Sequence, residues 1–375
     1  MPTPSSYGDA EPERSTTLTY SLNEKVRKLT PYEPGAGDYT VRLDANESFL
    51  TIPYHILDEM KAAMSEVAFN RYPDPLATEC ITAFAGYHRL KPEHVTAGNG
   101  SDELISVIVG GLFQKGDKLL LTDPDFSMYA FYAHVAELEV VSVQKSEDYA
   151  IDVEDLIETA LRSNCRGILF SNPCNPTSQG MDREDMIRIL DRLPDTLLIA
   201  DEAYMDFWDQ SILDLVEEYP QLLVLRTCSK AFGAAAVRLG FAVAGPMITT
   251  AIRSLKSPYN VNSLTQAAAA VLLRHPQCLK QGLAKILASR DDLYMQMLEL
   301  KNSRLNPGLQ IDYLLKPKTN FVLVHFRENA EVYEMLKQQG ILVRCFPRFM
   351  RITAGSPEEN QALIQALSQY GEGKL

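Results

Sequence analysis

The chain has 375 residues, of which 46% are hydrophobic and 23% charged, a composition typical of a folded globular protein large enough for two domains. Its formal net charge of −13 at pH 7 argues against a nucleic acid partner, because phosphate backbones are bound by basic surfaces. No apolar run is long enough for a membrane span, and residues 1–16 lack the apolar core of a signal peptide, so we expect neither.

Cysteine and histidine are scattered along the sequence. No CxxC pair occurs, and a chain of this length needs no disulfides, so we expect reduced thiols and a cytoplasmic protein. There is no HExxH motif and no cysteine–histidine cluster, and we therefore expect no metal site. The cysteines are Cys80, Cys165, Cys174, Cys228, Cys278 and Cys345.

The first part of the chain predicts a flexible arm followed by an α/β domain. Residues 1–21 are polar and rich in proline and serine, which favours a flexible N-terminal arm. Residues 46–265 alternate short apolar runs with amphipathic helical patterns, which is typical of a mostly parallel sheet covered by helices. The predicted strands are KLLLT, EVVSV, GILFS, TLLIA, LLVLR and FAVAG, at 118–122, 139–143, 167–171, 196–200, 222–226 and 241–245.

The pattern changes near residue 265. Two strong helix formers, QAAAAVLLRH and KQGLAKILASRDDLYMQMLELK, are followed by TNFVLVHF, a helix around AEVYEMLKQQG, and the strands ILVRCF and MRITAG. A last helix is predicted from Pro357, with Ser356 as its N-cap. This order predicts a smaller α+β domain of residues 266–375, which we expect residues 22–45 to join, with a ligand crevice between the domains.

The motif AGNGSDELI, at residues 97–105, predicts a turn that leads from a strand into a helix. Gly98 and Gly100 allow a tight turn, and a helix begins near Ser101. The amide groups at such a helix N-terminus bind anions, so the turn could hold a phosphate. A plain glycine turn with a capped helix is the alternative, and this motif alone does not decide between them.

Two further motifs follow predicted buried strands. SNPCNPT contains two Asn-Pro pairs, which favour turns, and presents the amide of Asn175 at a strand end. DEAYMDF places Asp201 at the end of the next strand, with Tyr204 shortly after it. The carboxylate of Asp201 is either a helix cap or the partner of a buried cation.

The motif RTCSKAFGAAAVRLG places Lys230 among small and apolar residues, with Thr227 and Ser229 before it and Arg238 after it. A solvated lysine on a loop is the simple interpretation of this segment alone. Taken together, the four motifs fit one ligand with a phosphate, a cationic ring nitrogen, an oxygen acceptor and a carbonyl. Pyridoxal 5′-phosphate has all four, and a buried carboxylate keeps its ring nitrogen protonated.

Ten segments, taken in order, resemble the class II fold-type I aminotransferases, and most of all the histidinol-phosphate aminotransferases. The resemblance runs from about residue 22 to the C-terminus and implies the pyridoxal-phosphate fold type I. The segments are RLDANES, NRYPDP, GNGSDELI, DPDFSMY, NPCNPT, DEAYMDF, RTCSKAFG, VRLG, TNFVLV and MRITAGSPEEN.

The resemblance implies that Lys230 forms a Schiff base with the cofactor and transfers the proton, while Asp201 pairs with the ring nitrogen. It implies phosphate contacts from the backbone of Ser101 and Asp102, and from Thr227, Ser229 and Arg238. Three kinds of cofactor contact are also implied: Phe126 on the ring face, Asn175 and Tyr204 on the phenolic oxygen, and Tyr72 on the cofactor phosphate of the neighbouring subunit. The implied substrate contacts are Arg351 on an α-carboxylate, Arg344 on a substrate phosphate, and Tyr32 and Asn46 at the substrate end.

The implied activity is amino transfer from histidinol phosphate, or a related amino acid, to 2-oxoglutarate in histidine biosynthesis, by a homodimer with a shared site. The segment between Arg344 and Arg351 is shorter than the family's, which leaves an aromatic amino acid aminotransferase open. A decarboxylase similar to the threonine-phosphate enzymes is a further alternative. A regulator built on an inactive domain is disfavoured, because Lys230 and Asp201 are intact.

Overall fold

The computed structural model describes residues 20–27, 29, 37–303 and 308–372. The predicted site residue Tyr32 and residues 1–19 of the predicted arm lie outside this range. In chain order, the helices are α1 (Glu24–Arg27), α2 (Tyr54–Ser65), α3 (Thr78–His88), α4 (Ser101–Gly111), α5 (Met128–Val135), α6 (Val153–Ser163), α7 (Arg183–Arg192), α8 (Pro246–Leu255), α9 (Ser263–Leu273), α10 (Pro276–Asn302), α11 (Asn329–Gln338) and α12 (Pro357–Glu372).

The strands form two sheets. In chain order they are β1 (Val41–Leu43), β2 (Val95–Gly98), β3 (Lys118–Asp123), β4 (Glu139–Gln144), β5 (Gly167–Ser171), β6 (Leu197–Asp201), β7 (Leu222–Thr227), β8 (Gly240–Ala244), β9 (Ile311–Leu314), β10 (Phe321–Phe326), β11 (Ile341–Cys345) and β12 (Met350–Thr353).

The larger sheet has the strand order β2-β8-β7-β6-β5-β3-β4. Strands β7, β6, β5, β3 and β4 are parallel neighbours, whereas β8 pairs antiparallel with both β7 and β2. The predicted mostly parallel sheet is therefore confirmed, and each of its six predicted strands lies within one residue of its predicted ends. Strand β2 is not among the six predicted strands, although the strand-to-helix turn predicted at Gly98 implies a strand before it.

Helices cover both faces of this sheet, since alternate residues of each strand face opposite ways. Along β7, for example, Leu222 and Val224 join a core with α2, α3, α6, α7 and α9, whereas Leu223 and Leu225 join a core with α4, α5 and α8. Strands buried on both faces must be apolar throughout, which explains why LLVLR and GILFS lack alternation. The predicted α/β fold class is confirmed.

The second sheet has the order β1-β11-β12-β10-β9, in which only the β1–β11 pair is parallel. Its core contains apolar residues of α10, α11 and α12. Helix α12 begins with the predicted cap: the Ser356 Oγ accepts a hydrogen bond of 3.2 Å from the Glu359 amide, and the Ser356 amide donates one of 2.7 Å to the Glu359 carboxylate. This reciprocal pair is a capping box.

Helix α10 connects the cores of the two sheets. Leu279 and Ile286 pack beneath the seven-stranded sheet, whereas Leu293 and Met297 pack beneath the five-stranded sheet. Helix α9 also packs in the core of the larger sheet. The predicted domain limits, 46–265 for the large domain and 22–45 with 266–375 for the small one, remain predictions. None of the helices in the described ranges is long and apolar enough to cross a membrane.

Candidate active site

The polar motifs of the sequence meet at the carboxyl ends of the parallel strands. Register pairs Ser171, the last residue of β5, with Asp201, the last residue of β6, and pairs Asp201 with Leu225 of β7. The segment that carries Asn175 therefore begins beside Asp201, and Thr227 ends the next strand. Ligands of open parallel sheets collect at this edge.

Asp201 is buried, with 5% of its surface exposed. Its Oδ2 accepts a hydrogen bond of 2.7 Å from the Tyr129 hydroxyl, and its Oδ1 accepts one of 3.0 Å from the Ala203 amide. Burial raises the pKa of the Asp201 carboxyl to about 6, although the two hydrogen bonds lower it. The carboxylate thus stabilises the turn that follows β6 rather than capping a helix, and it is desolvated enough to gain from a cationic partner.

Lys230 lies beside the predicted residue Tyr204 and contacts Ala45, the neighbour of the predicted residue Asn46 in the chain. Its Nζ donates a hydrogen bond of 3.1 Å to the Ala45 carbonyl and lies 5.7 Å from the centre of the Tyr204 ring. The Tyr204 hydroxyl accepts a hydrogen bond of 2.8 Å from the Asn46 side-chain amide, which leaves the phenolic hydrogen of Tyr204 as a donor. Asn46 is itself held by Thr353, whose hydroxyl accepts a hydrogen bond of 3.0 Å from the Asn46 backbone amide.

A cluster of donors lies around the N-terminus of α4. Gly100 has a φ of +85°, and a Cβ at this position would lie 2.8 Å from the Arg238 guanidinium. The backbone conformation therefore favours glycine, and the short distance shows how closely the Arg238 guanidinium approaches the turn. The Thr227 hydroxyl lies 3.1 Å from the Ser229 hydroxyl, which lies 3.5 Å from Arg238 Nη1. With the first amides of α4, which have no partner within the helix, these groups can hold an anion.

Two predicted residues contribute the start of α4. Strand β8 comes so close to it that a Cβ at Gly240 would overlap with the Ser101 backbone nitrogen. The Asp102 carboxylate accepts a hydrogen bond of 3.0 Å from the Tyr132 hydroxyl, so its side chain is directed toward α5. Asp102 can therefore contribute its backbone amide to an anion, in agreement with the role that the resemblance implies.

Arg351 is nearly buried, with 8% of its surface exposed. Its Nη1 donates a hydrogen bond of 2.5 Å to the Asn175 side-chain oxygen, and its Nη2 donates one to the Asp44 carbonyl. Arg344 is the cross-strand partner of Arg351, so both side chains extend from the same face of the smaller sheet. Arg344 is exposed, and its guanidinium lies 5.9 Å from the Phe346 ring.

Phe126 lies next to the Asp201 site, because its ring makes an edge contact with the Tyr129 ring at 5.4 Å. Tyr72 is not brought to the other site residues by this single chain. It is 81% exposed and stacks on Tyr259, with ring centres 4.6 Å apart. The predicted contact of Tyr72 concerns a neighbouring subunit and remains a prediction.

Sequence reasoning missed the residues that support these side chains. Tyr129 binds Asp201 directly, and the Asp125 carboxylate accepts hydrogen bonds from the Phe126 amide, at 2.8 Å, and from the Ser171 hydroxyl. Both lie in the segment DPDFSMY, in which only Phe126 was assigned a role. The available signal was the short separation of Tyr129 from Phe126, which a turn at the start of α5 brings together: the Tyr129 amide donates a hydrogen bond of 3.1 Å to the Phe126 carbonyl.

Ser178 has an unusual backbone conformation for a serine. Its φ of +61° is in the left-handed region, which favours glycine. The Ser178 hydroxyl lies 2.6 Å from the Thr319 hydroxyl and accepts a hydrogen bond of 3.0 Å from the Lys318 amide. The serine thus keeps the turn and connects it to the segment before β10.

Comparisons with known proteins identify similar sequences and structures. The profile of the family described as aminotransferase class I and II matches residues 39–367. A histidinol-phosphate aminotransferase of Clostridium kluyveri is 36% identical over 353 residues, which cover 93% of this chain and 98% of the relative. One of Thermococcus gammatolerans is 36% identical over 358 residues, which cover 94% of this chain and 98% of the relative.

Solved structures share the fold. The chain superposes on histidinol-phosphate aminotransferase of Sinorhizobium meliloti in complex with pyridoxal 5′-phosphate with a TM-score of 0.83, 22% identity, and coverage of 96% of this chain and 100% of the other. L-threonine-O-3-phosphate decarboxylase of Porphyromonas gingivalis gives a TM-score of 0.74, 22% identity, and coverage of 88% and 99%. At these identities the structures support the fold and do not distinguish among reactions.

Proposed function

Because this chain belongs to the class I and II aminotransferases, which are pyridoxal 5′-phosphate-dependent transaminases, we propose that it transfers the amino group of histidinol phosphate, or of a related amino acid, to 2-oxoglutarate. The choice of donor is supported by relatives at 36% identity that span nearly the whole chain and are named for histidinol phosphate. The observation that carries the proposal is the position of Lys230 and Asp201 at adjacent strand ends of one sheet edge.

The residues at this edge fit the cofactor. Asp201 is a buried carboxylate whose pKa burial raises, so a ring nitrogen that carries a proton would relieve its desolvation. The donors around Gly100, including Ser229 and Arg238, fit a phosphate. When bound, the cofactor supplies an electron sink for the carbon that carries the substrate's amino group.

The chain's own residues have separate tasks in this proposal. Lys230 would anchor the cofactor covalently through Nζ, and the same amine would move the proton at the substrate carbon. Asp201 holds the proton on the ring nitrogen. The hydroxyl of Tyr204 and the amide of Asn175 donate hydrogen bonds to the cofactor's phenolic oxygen, and Phe126 covers one face of the ring.

Two arginines on one face of the smaller sheet suit a substrate with anionic groups. Arg351 is nearly buried, and its guanidinium donates hydrogen bonds to a backbone carbonyl and to a side-chain amide oxygen. The two oxygens of a carboxylate could accept hydrogen bonds from the same guanidinium. We assign it to a carboxylate of 2-oxoglutarate. Arg344 is exposed and lies beside it in register, and we assign it to the phosphate of histidinol phosphate.

We further propose a homodimer in which Tyr72 contacts the neighbouring subunit's cofactor phosphate. The proposal is supported by an exposed aromatic surface that includes Phe69, Tyr72 and Tyr259, since such surfaces often mark protein contacts. Sedimentation of the full chain tests it, and a monomer that retains full activity would reject the shared site. A cytoplasmic location remains a prediction.

The substrate is tested by the first half-reaction alone. Purified enzyme with its cofactor is mixed with single amines in the absence of any 2-oxo acid, and the cofactor absorbance reports which amines donate. We expect histidinol phosphate to convert the enzyme at the lowest concentration. A response to aromatic amino acids alone would assign an aromatic amino acid aminotransferase, and carbon dioxide release from threonine phosphate would assign a decarboxylase.

A further inference from the structure

A buried lysine and a buried cysteine are in contact close to the candidate active site. Lys145 Nζ lies 2.9 Å from Cys174 Sγ, a distance shorter than the sum of the nitrogen and sulfur van der Waals radii. The Lys145 side chain is 1% exposed, and Cys174 is 2% exposed. Neither residue has a role in the proposed function, yet Cys174 lies directly before Asn175 in the chain.

The surroundings supply a proton acceptor and an access route. Asp125 Oδ2 lies 3.3 Å from Lys145 Nζ, and the Pro124 carbonyl accepts a hydrogen bond of 2.9 Å from the same nitrogen. A cavity of about 130 Å³ is lined by Lys145, Ser171 and Cys174. This volume exceeds the roughly 30 Å³ that one water occupies in the liquid, so the cavity has room for a diatomic gas beside the pair.

We propose that Lys145 and Cys174 form an oxidative cross-link in which one oxygen atom bridges Nζ and Sγ. An S–O and an O–N single bond that meet at one oxygen span about the separation that the two atoms already have, so the bridge needs little movement. The functional consequence described below rests on the proposed function, whereas the cross-link itself does not.

Dioxygen is the oxidant, and the step balances with one molecule of it. The S–H bond of Cys174 and two N–H bonds of the Lys145 ammonium break, while S–O and O–N bonds form. The second oxygen atom leaves as water with two of these hydrogens, and the third is taken as a proton by the Asp125 carboxylate. Sulfur and nitrogen each lose two electrons, and dioxygen accepts all four.

The reaction is expected to be slow. Burial raises the pKa of the Cys174 thiol most, and the nearby Asp125 raises it further, whereas Lys145 lowers it. Burial lowers the pKa of Lys145, but Asp125 and Cys174 together raise it by more. The pair is therefore an ammonium and a thiol at neutral pH, and the bridge accumulates with exposure to air rather than as a rapid response.

The bridge would loosen residues that are assigned to the cofactor. Asp125 accepts hydrogen bonds from the Phe126 amide and the Ser171 hydroxyl, and the Ser171 hydroxyl accepts one of 3.1 Å from the Asn175 amide. Cross-linking removes the charge of Lys145, the cation that Asp125 pairs with in this buried network. Asn175 and Phe126 then lose part of their support, and cofactor binding weakens.

Peptide mass spectrometry tests the cross-link. Full-length protein is purified without oxygen and divided, and one half is kept in air-saturated buffer. We expect a linked peptide pair that contains Lys145 and Cys174, with the summed mass of the two free peptides plus one oxygen and minus two hydrogens. Treatment with a dithiol should convert this pair back to the two free peptides. Cys174→Ser and Lys145→Arg should abolish it, whereas Cys278→Ser, a control at a thiol that is only partly buried, should retain it.

Cofactor affinity provides the second measurement. The oxidised wild type should bind pyridoxal 5′-phosphate about tenfold more weakly than the reduced protein, as expected for a lost charge-assisted contact, and Cys174→Ser should bind equally in both conditions. Unlinked peptides, a link without the oxygen, or sulfonic acid at Cys174 would overturn the cross-link. A link with unchanged affinity would overturn its effect on the site. Failure of the reduced protein to bind the cofactor would instead reject the proposed function.

Discussion

Tyr129 donates a hydrogen bond of 2.7 Å to Asp201, and both residues are buried at the edge of the larger sheet. The bond acts against desolvation: burial raises the pKa of Asp201 to about 6, and the tyrosine hydroxyl lowers it. Tyr129 thereby favours the ionised carboxylate that the proposed cofactor contact requires. Its own pKa is raised well above the usual tyrosine value, first by burial and then by Asp201, so it remains a donor.

Replacing Tyr129 with phenylalanine should make Asp201 harder to ionise. The affinity for pyridoxal 5′-phosphate should fall at low pH, and the midpoint of that fall should move up by about one pH unit, as expected for the loss of one hydrogen bond to a charged group. Fluorescence titrations from pH 5 to 8 measure it. Tyr132→Phe is the matched control, since Tyr132 bonds Asp102 instead, and an equal shift in both variants would contradict the role of Tyr129.

Asp201 should also affect the stability of the cofactor-free protein in a pH-dependent way. Its folded pKa lies above its unfolded value of about 3.9, so the native state binds more protons and the contribution of Asp201 falls as pH rises from about 4 to about 6. The loss is on the order of 3 kcal/mol. Urea unfolding at several pH values measures the free energy of unfolding, and Asp201→Asn should not show this decrease. Parallel dependence of the unfolding free energy on pH in the two proteins would refute the raised pKa of Asp201.

A buried ion pair lies directly beside the predicted cofactor residues. Arg226 Nη1 lies 2.9 Å from the Glu202 carboxylate, which is fully buried, and Arg226 Nη2 lies 2.6 Å from Asp206. Arg226→Met should destabilise the protein by about 3–5 kcal/mol, because it leaves buried carboxylates without their cation. Adding Glu202→Gln should recover part of the loss, and chemical unfolding measures both.

The control for this prediction is an exposed ion pair. Arg188 lies 3.1 Å from Asp185, and both side chains are at least 40% exposed. Arg188→Met should cost less than about 1 kcal/mol. Similar losses at positions 188 and 226 would mean that burial does not set the strength of the Arg226 interactions.

The two arginines of the smaller sheet should affect different half-reactions. Arg344→Ala should raise the KM for histidinol phosphate at least about tenfold, since a phosphate loses charge-assisted hydrogen bonds, and should change the 2-oxoglutarate half-reaction less. Arg351→Ala should mainly impair the 2-oxoglutarate half-reaction. Single-turnover absorbance measurements separate the two, and the reverse pattern would exchange the assignments.

The sequence predicted the strands of the larger sheet because burial on both faces demands continuous apolar runs, as in LLVLR (222–226) and GILFS (167–171). It also predicted which side chains follow those strands, since a parallel sheet collects them at one edge. Asp201, Lys230 and the glycine turn at Gly100 could therefore be assigned before their positions were known.

The supporting contacts could not be predicted in the same way. Tyr129 meets Asp201 across 72 positions of sequence, and Lys145 meets Cys174 across 29 positions. Such contacts depend on side-chain directions that no periodicity encodes. Whether Arg344 is exposed also depends on the turn between β11 and β12, and the sequence does not predict the conformation of that turn.

The central claim is that Lys230 anchors the cofactor, and reductive trapping tests it most directly. Borohydride treatment of the full-length enzyme with its cofactor should fix the cofactor on one peptide, which mass spectrometry should assign to Lys230. Lys230→Ala should bind the cofactor only noncovalently and lose turnover, whereas Lys318→Ala should still be labelled at Lys230. Label on a different lysine, or wild-type turnover in Lys230→Ala, would contradict the claim.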